Sequence, residues 1–356
     1  MRALFFLNSL VGGGAERVCL NLAKQLYKFN IKSDFVTIYD RKADYDIPEY
    51  IQVFSLNIKN RTGEWIDVIK AVPRVNAFIA DKEYILITAH VQPSHLLASL
   101  TKVKKKSFYV IHKSRHKAEE YSTWRERVFL RFFLGGKQVV TVSKGIEKEL
   151  NVEYGISAEN ITTIYNPGGI AALKTEMEKP SPHNRPYILV MGRLVKQKNP
   201  LLALKMYYMG RFYENYDLIF LGKGDLEADL KRQVIFYGMQ DHVFLKGFQK
   251  NQEQWLSNAS LLLSCSDQEG LPMNLIEALG CGIPVVAADC PYGPNEILTD
   301  ELAKYLIYPE KEPDKSIATI ASALKEYPEI TEKYYAKFED ELIAKIYLEQ
   351  WKKKFG

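Results

Sequence analysis

Two glutamates, Glu269 and Glu277, stand eight positions apart in the stretch EGLPMNLIE, with a Gly-Leu-Pro step between them. LLLSCS before them reads as a buried strand, and ALGCGIPVVAAD after them as a helix ending in glycine and then a second strand. Pro272 suits the start of that helix, where its missing N–H is not needed. Glu269 is therefore expected just past a strand end, and Glu277 about one and a half turns into the helix. At Glu269 a carboxylate can accept hydrogen bonds from hydroxyls, while the backbone between Gly270, Leu271, Pro272 and Met273 offers N–H groups to a phosphate or an oxyanion. Glu277 has two acceptor oxygens, enough to chelate a ribose diol. The plainer alternative makes Glu269 a first-turn partner of the helix dipole and Glu277 a surface charge.

Two cations occupy a comparable position. In YILVMGRLVKQKNP, Arg193 follows a strand and Lys198 precedes a helix that Asn199 should cap and Pro200 open. A forked guanidinium and a point-charge ammonium together suit a diphosphate; two solvated surface charges are the alternative. Lys223-Gly224-Asp225 reads as a glycine turn ahead of a helix capped by Asp225. Gly247-Phe248 ends another strand, where a backbone edge could meet a base. Near the start, NSLVGGGAERV places Gly12, Gly13 and Gly14 between a strand and a helix, a turn that can bring backbone N–H groups to an anion. A dinucleotide fingerprint fits it poorly, since Arg17 fills the third glycine slot, and a plain tight turn fits equally well. His90 and His112 each end an expected strand, and either is open to a structural or a site role.

The elements that must hold these residues alternate along the chain. Strand-like runs are ALFFLN, DFVTIY, YILITA, SFYVIH, QVVTVS and ITTIY in the first half. YILVMG, DLIFLG, VFLKG, LLLSCS, PVVAAD and YLIY follow in the second. Amphipathic stretches lie between most of them; AERVCLNLAKQL puts Val18, Leu22 and Leu26 on one face. Such alternation implies an α/β protein with parallel sheets, and so many strands exceed one ordinary open sheet. A Pro- and Gly-rich joint at residues 166–186 divides the chain. Two Rossmann-like, doubly wound domains with a cleft between them are expected, at residues 1–168 and 183–330. The tail, residues 331–356, reads as one long amphipathic helix returning to the first domain.

Composition sets outer bounds. The 356 residues, 47% hydrophobic and 26% charged, are enough for two cores, and a net charge of +5 permits an anionic partner without requiring one. The four cysteines lack zinc-ligand spacing and fit a reducing compartment. MRALFFLNSL reads as a first strand rather than a leader, and no run approaches the ~20 apolar residues of a membrane span. A cytoplasmic protein, soluble or peripheral on the membrane's inner face, is expected.

GGGAER, GRLVKQKNP and EGLPMNLIEALGCGIPVVAAD, in this order and spacing, resemble the retaining glycosyltransferases of family 4, of GT-B fold. The resemblance implies transfer of a hexose or N-acetylhexosamine from a nucleoside-diphosphate sugar, UDP favoured and GDP next, to a glycan or lipid-linked hydroxyl. It implies no cofactor and no metal, the first domain serving the acceptor and the second the donor. It assigns Arg193 and Lys198 to the donor diphosphate, Glu277 to the ribose hydroxyls and Glu269 to the reacting face of the sugar. Gly13 and Gly14 would make backbone contacts, and His112 would touch the donor sugar. Glu269 as a covalent nucleophile is chemically open, with front-face attack favoured. Surface-polysaccharide or lipopolysaccharide assembly is the implied setting.

Lys102–Lys106 (KVKKK) and the segment around Trp124, Arg125, Arg127, Phe129, Arg131, Phe132 and Phe133 could lie on an anionic membrane surface, or be solvated faces over a core. No nucleic-acid recognition module is visible. The competing readings are a nucleotide-sugar epimerase or hydrolase, a sugar-nucleotide-binding protein without turnover, and a nicotinamide-dependent dehydrogenase.

Overall fold

The computed structural model describes residues 1–11, 13–39, 46–59, 64–113, 124–174, 179–249 and 251–356. Gly12, residues 114–123 and the side chains of Trp124 and Arg125, all weighed above, lie outside the described residues. The chain forms two compact units: one holds most of Met1–Pro167 together with Phe338–Gly356, the other Gly168–Lys337.

The first unit is built on a seven-stranded sheet in the order β3-β2-β1-β4-β5-β6-β7, every pair parallel. Its strands are β1 (Arg2–Leu7), β2 (Lys32–Tyr39), β3 (Ile51–Ile58), β4 (Tyr84–His90), β5 (Phe108–Ile111), β6 (Gln138–Thr141) and β7 (Ile161–Thr163). Its helices are α1 (Gly14–Lys28), α2 (Glu64–Phe78), α3 (Ser94–Leu100), α4 (Trp124–Leu134) and α5 (Lys144–Val152). β1 and β4 are buried almost throughout, as expected of central parallel strands flanked by helices. β3 is a strand the sequence did not reveal: as an edge strand reading IQVFSLNI, it fully buries only Ile51 and Leu56.

The second unit carries a six-stranded parallel sheet in the order β10-β9-β8-β11-β12-β13. α6 (Ile170–Lys174) precedes β8 (Tyr187–Met191), α7 (Pro200–Met209), β9 (Asp217–Leu221), α8 (Glu227–Phe236), β10 (Val243–Gly247), α9 (Gln252–Ser257) and β11 (Leu261–Ser264). Then come α10 (Met273–Gly280), β12 (Val285–Ala288), α11 (Pro294–Ile297), β13 (Leu306–Ile307) and α12 (Pro313–Lys325). Its six strands are the six expected from the second half of the sequence. β8, β9, β11 and β12 are buried at every residue, so their apolar runs are unbroken.

The tail differs from a single helix beginning near Thr331. Short 3-10 turns at Glu332–Tyr334 and Ala336–Phe338 come first, and only then α13 (Asp340–Phe355). Tyr334 and Phe338 are buried within those turns, and Glu339 enters α13 in an extended conformation, so the chain bends where a continuous helix would run straight. α13 packs on α1 and β4, burying Ile343, Tyr347 and Trp351, and the Trp351 indole donates to the Lys106 carbonyl at 2.8 Å.

Candidate functional site

In each sheet the strand order reverses once, between β1 and β4 in the first unit and between β8 and β11 in the second. At such a reversal neighbouring connections leave on opposite faces, and a crevice opens at the carboxyl ends of the strands.

In the second unit that crevice is flanked by two loops. One follows β8 and holds Gly192, Arg193 and a 3-10 turn at Lys196–Lys198; the other follows β11 and runs through Asp267, Gln268 and Glu269 into α10. They are laced together across the reversal. Asp267 N–H donates to the Gln197 carbonyl at 2.9 Å, the Gln197 amide to the Gln268 carbonyl at 2.7 Å, and the Asn199 amide to the Asp267 carboxylate at 2.9 Å. Lys198 Nζ meets Glu269 Oε1 at 2.5 Å, with the lysine side chain 23% exposed and the glutamate 8%. Asn199 takes a left-handed conformation and spends its side chain on Asp267, so it does not cap α7 by side chain, although Pro200 opens that helix. Arg193 is exposed, and its guanidinium makes no ion pair or hydrogen bond among the described residues.

Glu269 is held by the main chain on both sides. Its N–H donates to the Pro291 carbonyl and its carbonyl accepts from Tyr292 N–H, each at 2.9 Å. Gly293 lets the two loops close, since a Cβ there would lie 2.7 Å from Pro272 and 2.9 Å from the Gly270 carbonyl. Gly270 and Leu271 are buried, Pro272 is the extended residue before α10, and Met273 is the first helical residue; the proline thus caps the helix instead of beginning it. Asn274 ties the first turn to the sheet by donating to the Met191 carbonyl at 3.0 Å. Glu277, one turn further along the Asn274 side of α10, is only 3% exposed, which overturns its reading as a surface helix charge. The buried Cys290 thiol is pushed up by burial and then by the Glu269 carboxylate beside it.

The loops after β8, β9 and β10 stack on one another. Leu194 N–H donates to the Lys223 carbonyl at 3.0 Å, and Gly222 N–H to the Gly247 carbonyl at 2.8 Å. A Cβ on Gly222 would collide with the Gly192 carbonyl and one on Gly224 with the Leu194 carbonyl, so only glycine permits this approach. Gly247 has a φ of 66°, and Phe248 beyond it is 44% exposed. Leu226, not Asp225, precedes α8, and it caps without a side-chain bond. Lys198 and Glu269 are thus in contact, Arg193 begins the loop that ends in Lys198, and Gly247-Phe248 is linked to them through the Gly222 turn.

The first unit gathers other residues at its own reversal. Asn8, after β1, donates to the Gln92 carbonyl at 2.6 Å and accepts from Ser94 N–H at 3.2 Å, bridging β1 and β4. Gly13 is the extended cap of α1 and Gly14 its first residue, but the Glu16 carboxylate folds back over Gly13 into the space a Cβ would fill. The start of α1 therefore already faces an acid of its own chain. Burial raises the Glu16 carboxyl, and Lys113 opposes the rise. His90 and His112, expected only as separate strand ends, are joined: Nδ1 of His90 and Nε2 of His112 share a hydrogen bond of 2.7 Å, and His90 Nε2 lies 2.9 Å from Thr88 Oγ1. Burial, then the fields of His95 and Lys113, lowers His112 to about 3; burial and both other histidines hold His90 well below its usual range.

Neither Gln197 and Asp267 nor the Asn8 bridge was singled out from sequence. Their strand-end positions were the available signal, but amide and acid side chains in loops are too common to stand out.

By architecture the chain is a two-unit α/β protein, each sheet of the kind that receives ligands at its strand-order reversal. The family model for glycosyl transferases group 1 matches residues 174–340, and that for glycosyltransferase family 4 matches residues 12–167. The two matches span nearly the whole chain, which belongs to the family 4 glycosyltransferases and has the GT-B fold. An uncharacterized glycosyltransferase of Methanocaldococcus jannaschii is 26% identical over 80% of this chain and 74% of its own. The N-acetylgalactosamine-N,N'-diacetylbacillosaminyl-diphospho-undecaprenol 4-alpha-N-acetylgalactosaminyltransferase of Campylobacter jejuni is 24% identical over 83% of each. A Staphylococcus aureus TarM variant, solved with fondaparinux, α-GlcNAc-glycerol and UDP, has a TM-score of 0.75 at 15% identity over 100% of both chains. At that identity the likeness speaks for the fold.

Proposed function

We propose that this glycosyltransferase moves a hexose or N-acetylhexosamine from a UDP-sugar, with retention of configuration and without a metal ion, to a hydroxyl of a lipid-linked glycan. The observation that carries the proposal is the Lys198–Glu269 contact across the strand-order reversal of the second unit, with Arg193 on the same loop. The ammonium has three donors, so it can keep one on Glu269 and turn another to a phosphate oxygen, while the Arg193 fork takes a second. The amino end of α10 adds positive potential on the same side. Together these groups neutralise the charge that grows on the leaving diphosphate, work that a divalent ion does in other enzymes.

Glu269 accepts from hydroxyls of the donor sugar and holds its reacting carbon towards the acceptor. Its bond to Lys198 makes it a poor nucleophile, which supports front-face attack: the departing phosphate oxygen takes the acceptor proton as the new bond forms on the face the diphosphate leaves. Glu277 holds the ribose diol. The preference for UDP and for a lipid-linked acceptor draws on the UDP seen with TarM and on the diphospho-undecaprenol named in the Campylobacter relative. Incubation with UDP-sugars and a lipid-linked oligosaccharide, in chelator, with the product's anomeric coupling read by NMR, tests the proposal. An α-linked product from an α-donor is expected. A β-linked product, or sugar release without transfer, contradicts it.

A further inference from the structure

α2 buries one stripe against its sheet, Val68, Ala71 and Val75, as a surface helix should. It then presents a second apolar stripe to solvent: Trp65 is 45% exposed, Ile66 59% and Ile69 53%. Isolated exposed apolar residues need no explanation, but three large ones within two turns of one helix form a patch that does. Beside the patch, α2 and β3 frame a groove of about 360 Å³ whose walls carry Lys59, Lys70 and Arg74 against one acid, Asp67. Neither lysine makes an ion pair among the described residues, and Arg74 only leans on the Phe54 ring. Near the carboxyl end of α2, two turns beyond Ile69, the Asn76 amide oxygen accepts from Lys102 N–H at 2.9 Å, which seats the exposed lysines of the 102–106 run at that end of the helix. Cations thus line the groove beside the apolar stripe, and the lysine run lies at the far end of the same helix.

We infer that this face of α2 is a docking surface for an anionic phospholipid bilayer, with Trp65, Ile66 and Ile69 entering the interface and Lys59, Lys70 and Arg74 receiving lipid phosphates. A tryptophan and two isoleucines reach the boundary of headgroups and acyl chains, and Lys70 and Arg74 of α2, with Lys59 next to them, place cations beside that apolar face. Lysine and arginine near an anionic leaflet add attraction that salt screens. α2 leads from the carboxyl end of β3 to the amino end of β4, so Trp65, Ile66 and Ile69 lie at the sheet end that also carries Gly13 and His112. The lipid-linked acceptor proposed above gives the surface its use, and in that sense the inference rests on that reading. Among the described residues no helix is long and apolar enough to cross a membrane, so attachment by such a face would be peripheral.

The test is sedimentation of the full chain with vesicles of phosphatidylcholine alone or with phosphatidylglycerol added, read alongside UDP-induced thermal stabilisation. Binding is expected on the anionic vesicles only, weakened by salt. Both the W65A/I66A/I69A and the K59E/K70E/R74E variants should lower the partition coefficient by about tenfold or more while keeping the UDP response. Tryptophan emission should shift to the blue on binding, and the shift should be lost in Trp65→Phe. The inference is overturned if neither variant changes partition, if inorganic phosphate competes fully with the vesicles, or if the apolar variant instead dissolves a dimer seen by light scattering. A parent chain that responds to UDP but does not bind the anionic vesicles counts against the surface alone. An absent UDP response with vesicle binding intact counts against the proposed donor alone.

Discussion

Lys198 and Glu269 are 71 residues apart in sequence and 2.5 Å apart in space, and the contact joins the loops at the carboxyl ends of β8 and β11. The lysine is 23% exposed, so one of its donors remains available to a ligand. Replacing it by alanine removes the cation nearest the proposed diphosphate and leaves the Glu269 carboxylate buried without that partner. Lys198→Ala should lower kcat by about a hundredfold or more, since one well-placed electrostatic group is worth roughly that. Steady-state kinetics at saturating donor checks this, and turnover within a few-fold of the parent would remove Lys198 from the phosphate role.

Glu277 is 3% exposed on α10, where a carboxylate is costly unless it is bonded. If the ribose diol is one of its partners, Glu277→Ala should weaken UDP binding by about 10–100-fold, the worth of a hydrogen bond to a charged group. Calorimetric titration reads the affinity, and a melting curve reads separately whatever the fold itself loses. An unchanged dissociation constant would take Glu277 out of the donor site.

Gly222 sits at φ 141°, and a Cβ there would collide with the Gly192 carbonyl oxygen, so a side chain meets backbone that cannot swing away. Gly222→Ala should cost about 2–4 kcal/mol of stability, from backbone strain and overpacking combined. Gly238→Ala, also at positive φ but with open space around its Cβ, should cost less. Denaturant unfolding of the two variants decides between a steric and a purely conformational origin.

The first unit should lose stability in mild acid. His112 has a folded-state pKa of about 3 against an ordinary 6.5, and His90 is lowered too, so the unfolded chain binds these protons first. Their contribution is fully present above about pH 6.5 and drains as the pH falls towards 3. Melting temperatures between pH 7.5 and 5 should fall, with a shallower slope in His112→Asn even though that variant starts lower. Equal slopes would mean that other groups carry the acid sensitivity.

What the sequence made legible follows burial. Strands buried along their length, such as Tyr187–Met191 and Asp217–Leu221, print as unbroken apolar runs, and all six strands of the second unit were readable. β3 was not, because an edge strand with polar positions at Gln52, Ser55 and Asn57 resembles a loop. Strand-end positions pointed to Arg193, Lys198, Glu269 and the two histidines as neighbours of crevices. The contacts themselves, Lys198 to Glu269 and His90 to His112, depend on strand order, which local periodicity does not encode. Two caps were misjudged: Asn199 gives its side chain to the distant Asp267, and α8 begins one residue later than expected, behind Leu226 and not Asp225.

The central claim is that the second unit grips a nucleoside diphosphate with Arg193 and Lys198. Calorimetric titration of UDP in the presence of chelator, on the parent chain and on the Arg193→Ala/Lys198→Ala double variant, tests it most directly. Metal-free binding by the parent and an affinity about a hundredfold or more lower in a folded double variant are the predicted results. Equal affinity in the two proteins, or binding by the parent only when a divalent ion is supplied, would contradict it.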